Sequence, residues 1–200
     1  LNVSSGAVTL PANTGKVRNR GIEFTANYHW RFGRDIRWTT GINFAYNTNK
    51  ILRTYVNKQT GAMEELYVGP QSLGIVSKYV VGGSYGDLYG RNFQYGKDGK
   101  IVLADGVPVF SSEYTRFLGN TTSKFNYGWS NTVSYKNLSL YILLDGKLGG
   151  KVLSLTQAEM DQYGLSKRSA AARDNNNGMV TLPDGQQVTA RNYYTAIGSE

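Results

Sequence analysis

The sequence predicts an all-β chain: an antiparallel segment of a transmembrane β-barrel, made of hairpins with short turns at one end and long connections at the other. Three observations carry that prediction. Four runs alternate between apolar and polar residues with period two, the mark of strands with two unlike faces. All three tryptophans, Trp30, Trp38 and Trp129, fall on the apolar side. The opposite side is built mostly of Asn, Ser, Thr and Gly.

The first run places Ile22, Phe24, Ala26, Tyr28 and Trp30 on one face and Glu23, Thr25, Asn27 and His29 on the other. A five-residue turn containing Gly33 and Asp35 follows. The alternation then resumes, with Ile36, Trp38, Thr40, Ile42, Phe44 and Tyr46 against Arg37, Thr39, Gly41, Asn43 and Ala45. That is a hairpin. In the second, Phe125, Tyr127, Trp129, Asn131, Val133 and Tyr135 oppose Asn126, Gly128, Ser130, Thr132 and Ser134. Lys136-Asn137 is a tight connection, and Leu138, Leu140, Ile142 and Leu144 then oppose Ser139, Tyr141, Leu143 and Asp145. Over the four runs the apolar face has 21 positions, of which only Thr40 and Asn131 are polar and none is charged.

Alternation by itself does not separate a soluble sheet from a membrane barrel, since both have one apolar face. Three features favour the barrel. Three of the runs are nine to eleven residues long, whereas soluble strands are mostly about 5–6. Eleven residues at about 3.3 Å each, tilted by about 45°, rise about 25 Å, the height of an outer-membrane apolar band. Ten aromatic residues lie on the apolar face, gathered near strand ends: Trp30 and Trp38 by the first turn, Tyr135 by the second, and Tyr46, Phe125 and Tyr127 at the far ends. Rings so placed form girdles at two membrane–water interfaces. Finally, the polar face carries only Glu23, Arg37 and Asp145 as charged groups among 18 positions. A water-facing sheet normally carries more Lys and Glu to protect against edge pairing. Phe24, Trp30, Trp38, Phe44, Trp129, Tyr135, Leu140 and Ile142 are accordingly read as lipid-facing, and Glu23, Asn27, His29, Arg37 and Asn43 as lumen-facing.

Residues 1–200 read as one partial barrel domain, divided into a first hairpin at 17–50, a long loop region at 51–124, a second hairpin at 125–148 and a long outer loop at 149–200. Within the first connection, Lys97-Asp98-Gly99-Lys100 before Ile101-Val102-Leu103 predicts a small hairpin, and Asp105-Gly106 another turn. The pattern leaves open whether 51–124 holds a further pair of membrane strands. In the second connection, Thr156-Gln157-Ala158-Glu159 is a capping-box pattern that opens a short helix ending near Gly164. Asp174 to Gly178 is an Asn-rich loop, and Pro183-Asp184-Gly185 is a turn between the runs Met179–Leu182 and Gln187–Ala190. Short turns thus alternate with long connections, the asymmetry of periplasmic turns and extracellular loops in bacterial barrels.

Composition removes several function classes. The chain has 200 residues, no cysteine, one histidine and 22 Lys plus Arg against 14 Asp plus Glu, a net charge of +8. Thiolate metal sites, disulfides and any site needing two histidines are excluded. The cations are scattered from Lys16 to Arg191, not gathered into the patch that nucleic-acid binding requires. Leu1 to Leu10 shows no basic start followed by an apolar stretch, so no signal peptide is read there. Charge-free runs such as Trp38–Asn49 and Leu66–Ser77 are twelve residues, and Leu1–Gly15 is fifteen, all short of the roughly 20 apolar residues of a spanning helix.

No catalytic, metal or cofactor constellation survives inspection. Gly82-Gly83-Ser84-Tyr85-Gly86 fits the nucleophile-elbow pattern, but that chemistry needs a later histidine and none follows His29. The stretch from Asp174 places Gly185 where a calcium loop requires a bidentate Glu. His29 reads as a hydrogen-bonding polar-face residue, and Glu64-Glu65 as a solvated pair.

The residues resemble one known family, the SusC/RagA-type TonB-dependent outer-membrane transporters. Asn19-Arg20-Gly21-Ile22-Glu23 is similar to its N-x-G-I-E strand opening, and Trp38 through Lys50 to the strand that follows. Gly83 through Gly90 resembles its G-x-x-G-x-F/L-Y-G segment. Leu118-Gly119-Asn120 through Gly149-Gly150, with Tyr135-Lys136-Asn137-Leu138, is similar to its L-G-N…Y-K-N-F hairpin. Gln162-Tyr163-Gly164 and the Asp184-Gly185…Tyr193-Tyr194 stretch sit where the family has long loops. The likeness covers roughly residues 17 to 195. Ser123 stands where the family usually has Pro, and Gly82 where an acidic residue is common.

The resemblance implies a barrel of about 22 strands around an N-terminal plug. Neither plug nor TonB-contacting segment is seen here, so the chain is expected to be a fragment from the C-terminal half of such a barrel; an open sheet edge is not tolerated in hydrocarbon. It further implies a non-enzymatic nutrient importer of the bacterial outer membrane. Such a protein takes up oligosaccharides or peptides with TonB and a SusD-like surface lipoprotein as partners, without cofactor, metal or nucleic acid. Tyr85, Tyr89, Phe93 and Tyr95 are the candidate substrate-stacking residues; the alternative is that they pack a loop against the wall. The rival reading of the whole chain is a secreted, soluble β-rich carbohydrate-binding module or adhesin.

Overall fold

Strict alternation over long runs produces two strands longer than the apolar pattern alone defines. In the computed structural model, which describes residues 15–72 and 74–199, β1 spans Lys16–Phe32 and β2 spans Ile36–Arg53. The turn between them shrinks to Gly33–Asp35, with Gly33 at φ +59°. The expected five-residue turn is therefore three residues long, because Arg31 and Phe32 pair with Arg37 and Ile36 and continue the ladder. The Leu1–Leu10 stretch lies outside the described residues.

The remaining strands are β3 (Leu66–Ser72), β4 (Ile75–Tyr79), β5 (Asp87–Gly90), β6 (Leu103–Ala104), β7 (Val107–Pro108), β8 (Arg116–Asn120), β9 (Phe125–Tyr135), β10 (Leu138–Leu148), β11 (Met179–Thr181) and β12 (Gln187–Thr189). Three helices, α1 (Leu155–Gln162), α2 (Lys167–Asp174) and α3 (Ala190–Ser199), lie in the last fifty residues. Two compact units result.

The first unit takes the described part of Leu1–Leu66 with Tyr79–Tyr85 and Thr122–Gly149. Its sheet has the order β1-β2-β9-β10, antiparallel throughout. Because β2 pairs directly with β9, from Ile36↔Tyr135 to Tyr46↔Phe125, no strand of the intervening connection enters this sheet. The strands of 51–124 pair among themselves, as a second sheet of order β3-β4-β5-β8 and the two-stranded β6-β7. Both short turns stand at the same end, where the Lys136 amide donates to the Asp35 carbonyl at 3.0 Å. Both long connections leave from the other end. Lys136 takes a left-handed φ of +53° in the two-residue β9–β10 turn.

The second unit combines the described parts of Tyr67–Lys78, Gly86–Thr121 and Gly150–Glu200, so parts of the two long connections fold together. Its small core is Ile101, Leu182 and Val188, with Phe93, Leu103 and Tyr193 packed against it. The Lys97–Lys100 turn forms as expected, closed by Gly96 N–H to the Lys100 carbonyl at 2.8 Å. Asp105 and Gly106 make the β6–β7 turn with φ of +51° and +76°, the pair of positive angles that suits a tight hairpin.

The helices differ from expectation in two respects. Helix α1 is capped by Ser154, whose Oγ accepts from the Gln157 amide at 3.2 Å; Thr156 lies inside the helix. Ser154-x-x-Gln157 is itself a capping-box spacing two residues earlier, and it prevails. Helices α2 and α3 are not legible as periodic apolar runs. Ser166 caps α2 through its Oγ and the Ser169 amide, and α3 begins at Ala190, the last residue of an expected extended run. Helix α3 lies against α1 at Gly198, where an added Cβ would stand 2.4 Å from the Gln162 nitrogen. Only glycine permits that approach.

Candidate functional site

The register of the four-stranded sheet arranges its side chains in rows. On one face, from the turn end upward, the rows are Phe32–Ile36–Tyr135–Leu138, Trp30–Trp38–Val133–Leu140, Tyr28–Thr40–Asn131–Ile142, Ala26–Ile42–Trp129–Leu144, Phe24–Phe44–Tyr127–Gly146 and Ile22–Tyr46–Phe125–Leu148. Six rows are separated by five two-residue intervals, which at about 3.3 Å per residue and a tilt of about 45° climb about 23 Å. This face is exposed: Trp30 and Trp129 each retain 45% of their accessible surface, Ile42 47% and Leu140 59%. The indoles are thus not tucked into an interior, and Phe24, Phe44, Tyr135 and Ile142 are exposed beside them. Trp38 is half-buried. Ring contacts run along the face, with Trp30 stacked on Phe32 at 5.1 Å and Phe125 against Tyr46 at 4.7 Å.

The two polar residues on this face face each other across β2 and β9. The Trp129 indole N–H donates to Thr40 Oγ1 at 3.0 Å, and the Trp38 indole N–H to Asn131 Oδ1 at 3.3 Å. Thr40 Oγ1 in turn donates to the Ser130 carbonyl at 3.2 Å. Both indole donors in the central rows are therefore satisfied within the sheet, as an apolar solvent requires. The sequence shows Thr40 and Asn131 as exceptions to a pattern; that they serve the tryptophans depends on a pairing across about ninety residues.

Glu23, Asn27, His29, Arg37 and Asn43 all stand on the opposite face. His29 Nδ1 lies 3.1 Å from Thr39 Oγ1. Asn27 lies across Gly41, and Asn43 across Gly128: added Cβ atoms there would stand 2.5 Å and 2.7 Å from the two Oδ1 atoms. The glycines let long polar side chains lie flat on the sheet. The face can line a hydrated space.

The four candidate stacking residues fall in two different units. Tyr85 belongs to the first unit, packs on Tyr79 at 5.1 Å, and its amide donates to Asn49 Oδ1 at 2.6 Å. The other three belong to the second unit. Phe93 stacks on Phe110 at 4.7 Å beside the small core. Tyr95 is exposed and bridges Ile101. Tyr89 meets Phe117 edge-on at 5.6 Å, with the buried Lys78 ammonium 4.7 Å from its ring centroid. Phe117 and Tyr67, the latter 6.0 Å from the same ammonium, are exposed. Tyr67, Lys78 and Phe117 thus join Tyr89 in an aromatic–cation surface that sequence spacing did not reveal, because Phe117 pairs with Tyr89 across β5 and β8.

The Pro183-Asp184-Gly185 turn ties the two long connections together. Asp184 Oδ2 accepts from the Ile101 amide at 2.5 Å, and Gln186 Nε2 donates to the Ile101 carbonyl at 2.9 Å. Partial burial pushes the Asp184 carboxyl upward, but hydrogen bonds from the Ile101 amide and from the Gln186 side chain and amide outweigh it and hold the group below its ordinary value. A carboxyl depressed in the folded state contributes stability above its unfolded value, lost as pH falls through the folded one. Protection of the Ile101 amide from hydrogen exchange, corrected for intrinsic rate, should therefore fall between neutral pH and about pH 3, and Asp184→Asn should flatten that dependence.

An open antiparallel sheet with one exposed apolar face, one small-polar face, and short turns and long connections at opposite ends has the architecture of a β-barrel segment; among the described strands it does not close. No family model matches the chain. The chain is 26% identical over 180 residues to TonB-dependent receptor P3 of Formosa agariphila, a match covering 78% of this chain and 17% of that protein. Its structure is similar to that of the RagAB peptide transporter, with a TM-score of 0.48 and 21% identity over 74% of this chain and 17% of that one. The likeness to a TonB-dependent receptor agrees with the resemblance its motifs carry, and the chain spans about one-sixth of the length of the curated relative it matches.

Proposed function

We propose that the chain forms part of the wall and outer loops of a TonB-dependent importer in the bacterial outer membrane, working with a SusD-like lipoprotein on oligosaccharides or peptides. The observation that carries this reading is the exposed apolar face. Its six rows have about the height of an outer-membrane apolar band, and two of its indole donors are satisfied inside the sheet. A soluble module or adhesin would need a second layer over the same rings. In the importer the apolar rows face lipid, while the face of Asn27, His29 and Asn43 lines the lumen. The long connections form the vestibule, with Tyr89, Phe117 and Tyr67 available for stacking; TonB acts on the plug.

Brominated lipids test the central claim. In the full-length protein reconstituted into vesicles, bromines placed along the acyl chain should quench the emission of Trp30, Trp38 and Trp129, with single-tryptophan variants separating the three. Emission indifferent to bromine position would return the chain to the soluble reading.

A further inference from the structure

The β1–β2 hairpin continues beyond the last apolar row. Strand β9 begins opposite Tyr46, yet β2 runs on to Arg53 and β1 starts at Lys16. On the face that carries Ile22, Phe24 and Trp30, this overhang bears Arg20 opposite Thr48 and then Arg18 opposite Lys50, with Lys16 opposite Arg53 beyond a register shift. All five cations are exposed. No charged residue stands on this face in the six rows below.

Like charges directly opposite each other in a sheet are destabilising, and nothing among the described residues relieves Arg18 and Lys50. Among the described residues no carboxylate pairs with Arg18, Arg20 or Lys50, and Glu23 stands on the other face. The cations cannot turn inward either. The inner face of the overhang holds Asn19 opposite Asn49 and Val17 opposite Ile51. Ile51 is buried, and its backbone is bonded to Gly82 and Gly83. Asn49 Oδ1 accepts from Ser84 Oγ and the Tyr85 amide, both at 2.6 Å.

Height identifies the missing counter-charge. Each row rises about 5 Å along a strand tilted by about 45°. The Arg20 row therefore stands about 5 Å, and the Arg18–Lys50 row about 10 Å, above the last apolar row. The polar headgroup layer is about 5–8 Å thick on each side of the hydrocarbon, and long cationic side chains reach back toward it. We propose that Arg18, Arg20 and Lys50, flanked by Lys16 and Arg53, form a binding site for the phosphate groups of glycolipid headgroups in the leaflet at the long-connection end. Guanidinium groups suit phosphate by bidentate hydrogen bonding. The proposal rests on the barrel reading above.

The test uses the full-length protein in neutral detergent and native mass spectrometry, with a bis-phosphorylated glucosamine lipid, its dephosphorylated counterpart and inorganic phosphate as probes. The wild type should retain the phosphorylated lipid and release the dephosphorylated one. The triple variant Arg18→Gln/Arg20→Gln/Lys50→Gln should bind it about 100-fold more weakly, at about tenfold or less per cation removed. Equal retention of the two lipids, or variant and wild-type affinities within about twofold of each other, would overturn the proposal. So would full competition by inorganic phosphate at matched concentration, which would assign the stripe to a free anion. Bromine quenching of the same preparations after reconstitution separates the two failures: quenching intact with no lipid preference removes this site alone, whereas quenching absent in the wild type removes the barrel reading and this proposal with it.

Discussion

Replacing Ile42 with Arg in the full-length protein should cost about 2–4 kcal/mol of barrel stability in lipid vesicles, while Ile22→Arg should cost about 0–1. The contrast follows from the rows. Ile42 lies in the fourth of six, beside Ala26 and Trp129, so a guanidinium there sits near mid-bilayer with no aqueous route. Ile22 lies in the outermost row, next to Arg20 and Thr48, where a cation can reach the headgroups. Denaturant unfolding of the reconstituted protein gives both values. Equal costs at the two positions would mean that the face has no depth axis, and the inside–outside assignment would fall.

Arg168→Met should destabilise the second unit by about 3 kcal/mol, the low end of the range for breaking a buried ion pair because the guanidinium is half exposed. Asp161 in α1 is fully buried. Its carboxylate accepts from Arg168 Nε at 2.8 Å, from Arg168 Nη2, and from Gln157 Nε2 at 3.2 Å. Without the guanidinium a buried charge keeps only a neutral amide partner. The double variant Asp161→Leu/Arg168→Met should recover much of the loss, since removing both charges leaves none uncompensated. Hydrogen exchange in α1 and α3 is the readout. If Arg168→Met leaves that exchange unchanged, the pair is not what holds the helices.

Both predictions bear on what the chain's residues disclose in isolation. The faces of the sheet were legible, because a strand's side-chain period is two wherever it pairs, and Trp30, Trp38 and Trp129 can occupy one face only together. Length was less legible. Strand β1 begins six residues before Ile22 because hydrogen bonds, not apolar side chains, extend the ladder there. Helix α2 carries Lys167, Arg168 and Arg173 with no apolar stripe, so its position rests on the Ser166 cap and the Asp161 pair. The stacking candidates show the same division: aromatic residues are visible in a sequence, but Tyr89 meets Phe117 only through the β5–β8 register.

Local chemistry therefore determined the alternating strands, the turns at Gly33, Lys136 and Asp105-Gly106, and the separation of a lipid-type face from a polar one. These depend on backbone geometry and on neighbours two residues away. Only the tertiary structure decided that β2 meets β9 across the long connection, that Thr40 and Asn131 satisfy two indoles, that Asp184 ties the connections together, and that five cations stand above the last apolar row. Each of these is a contact between residues distant in the chain, and its energy depends on register, which no single strand contains.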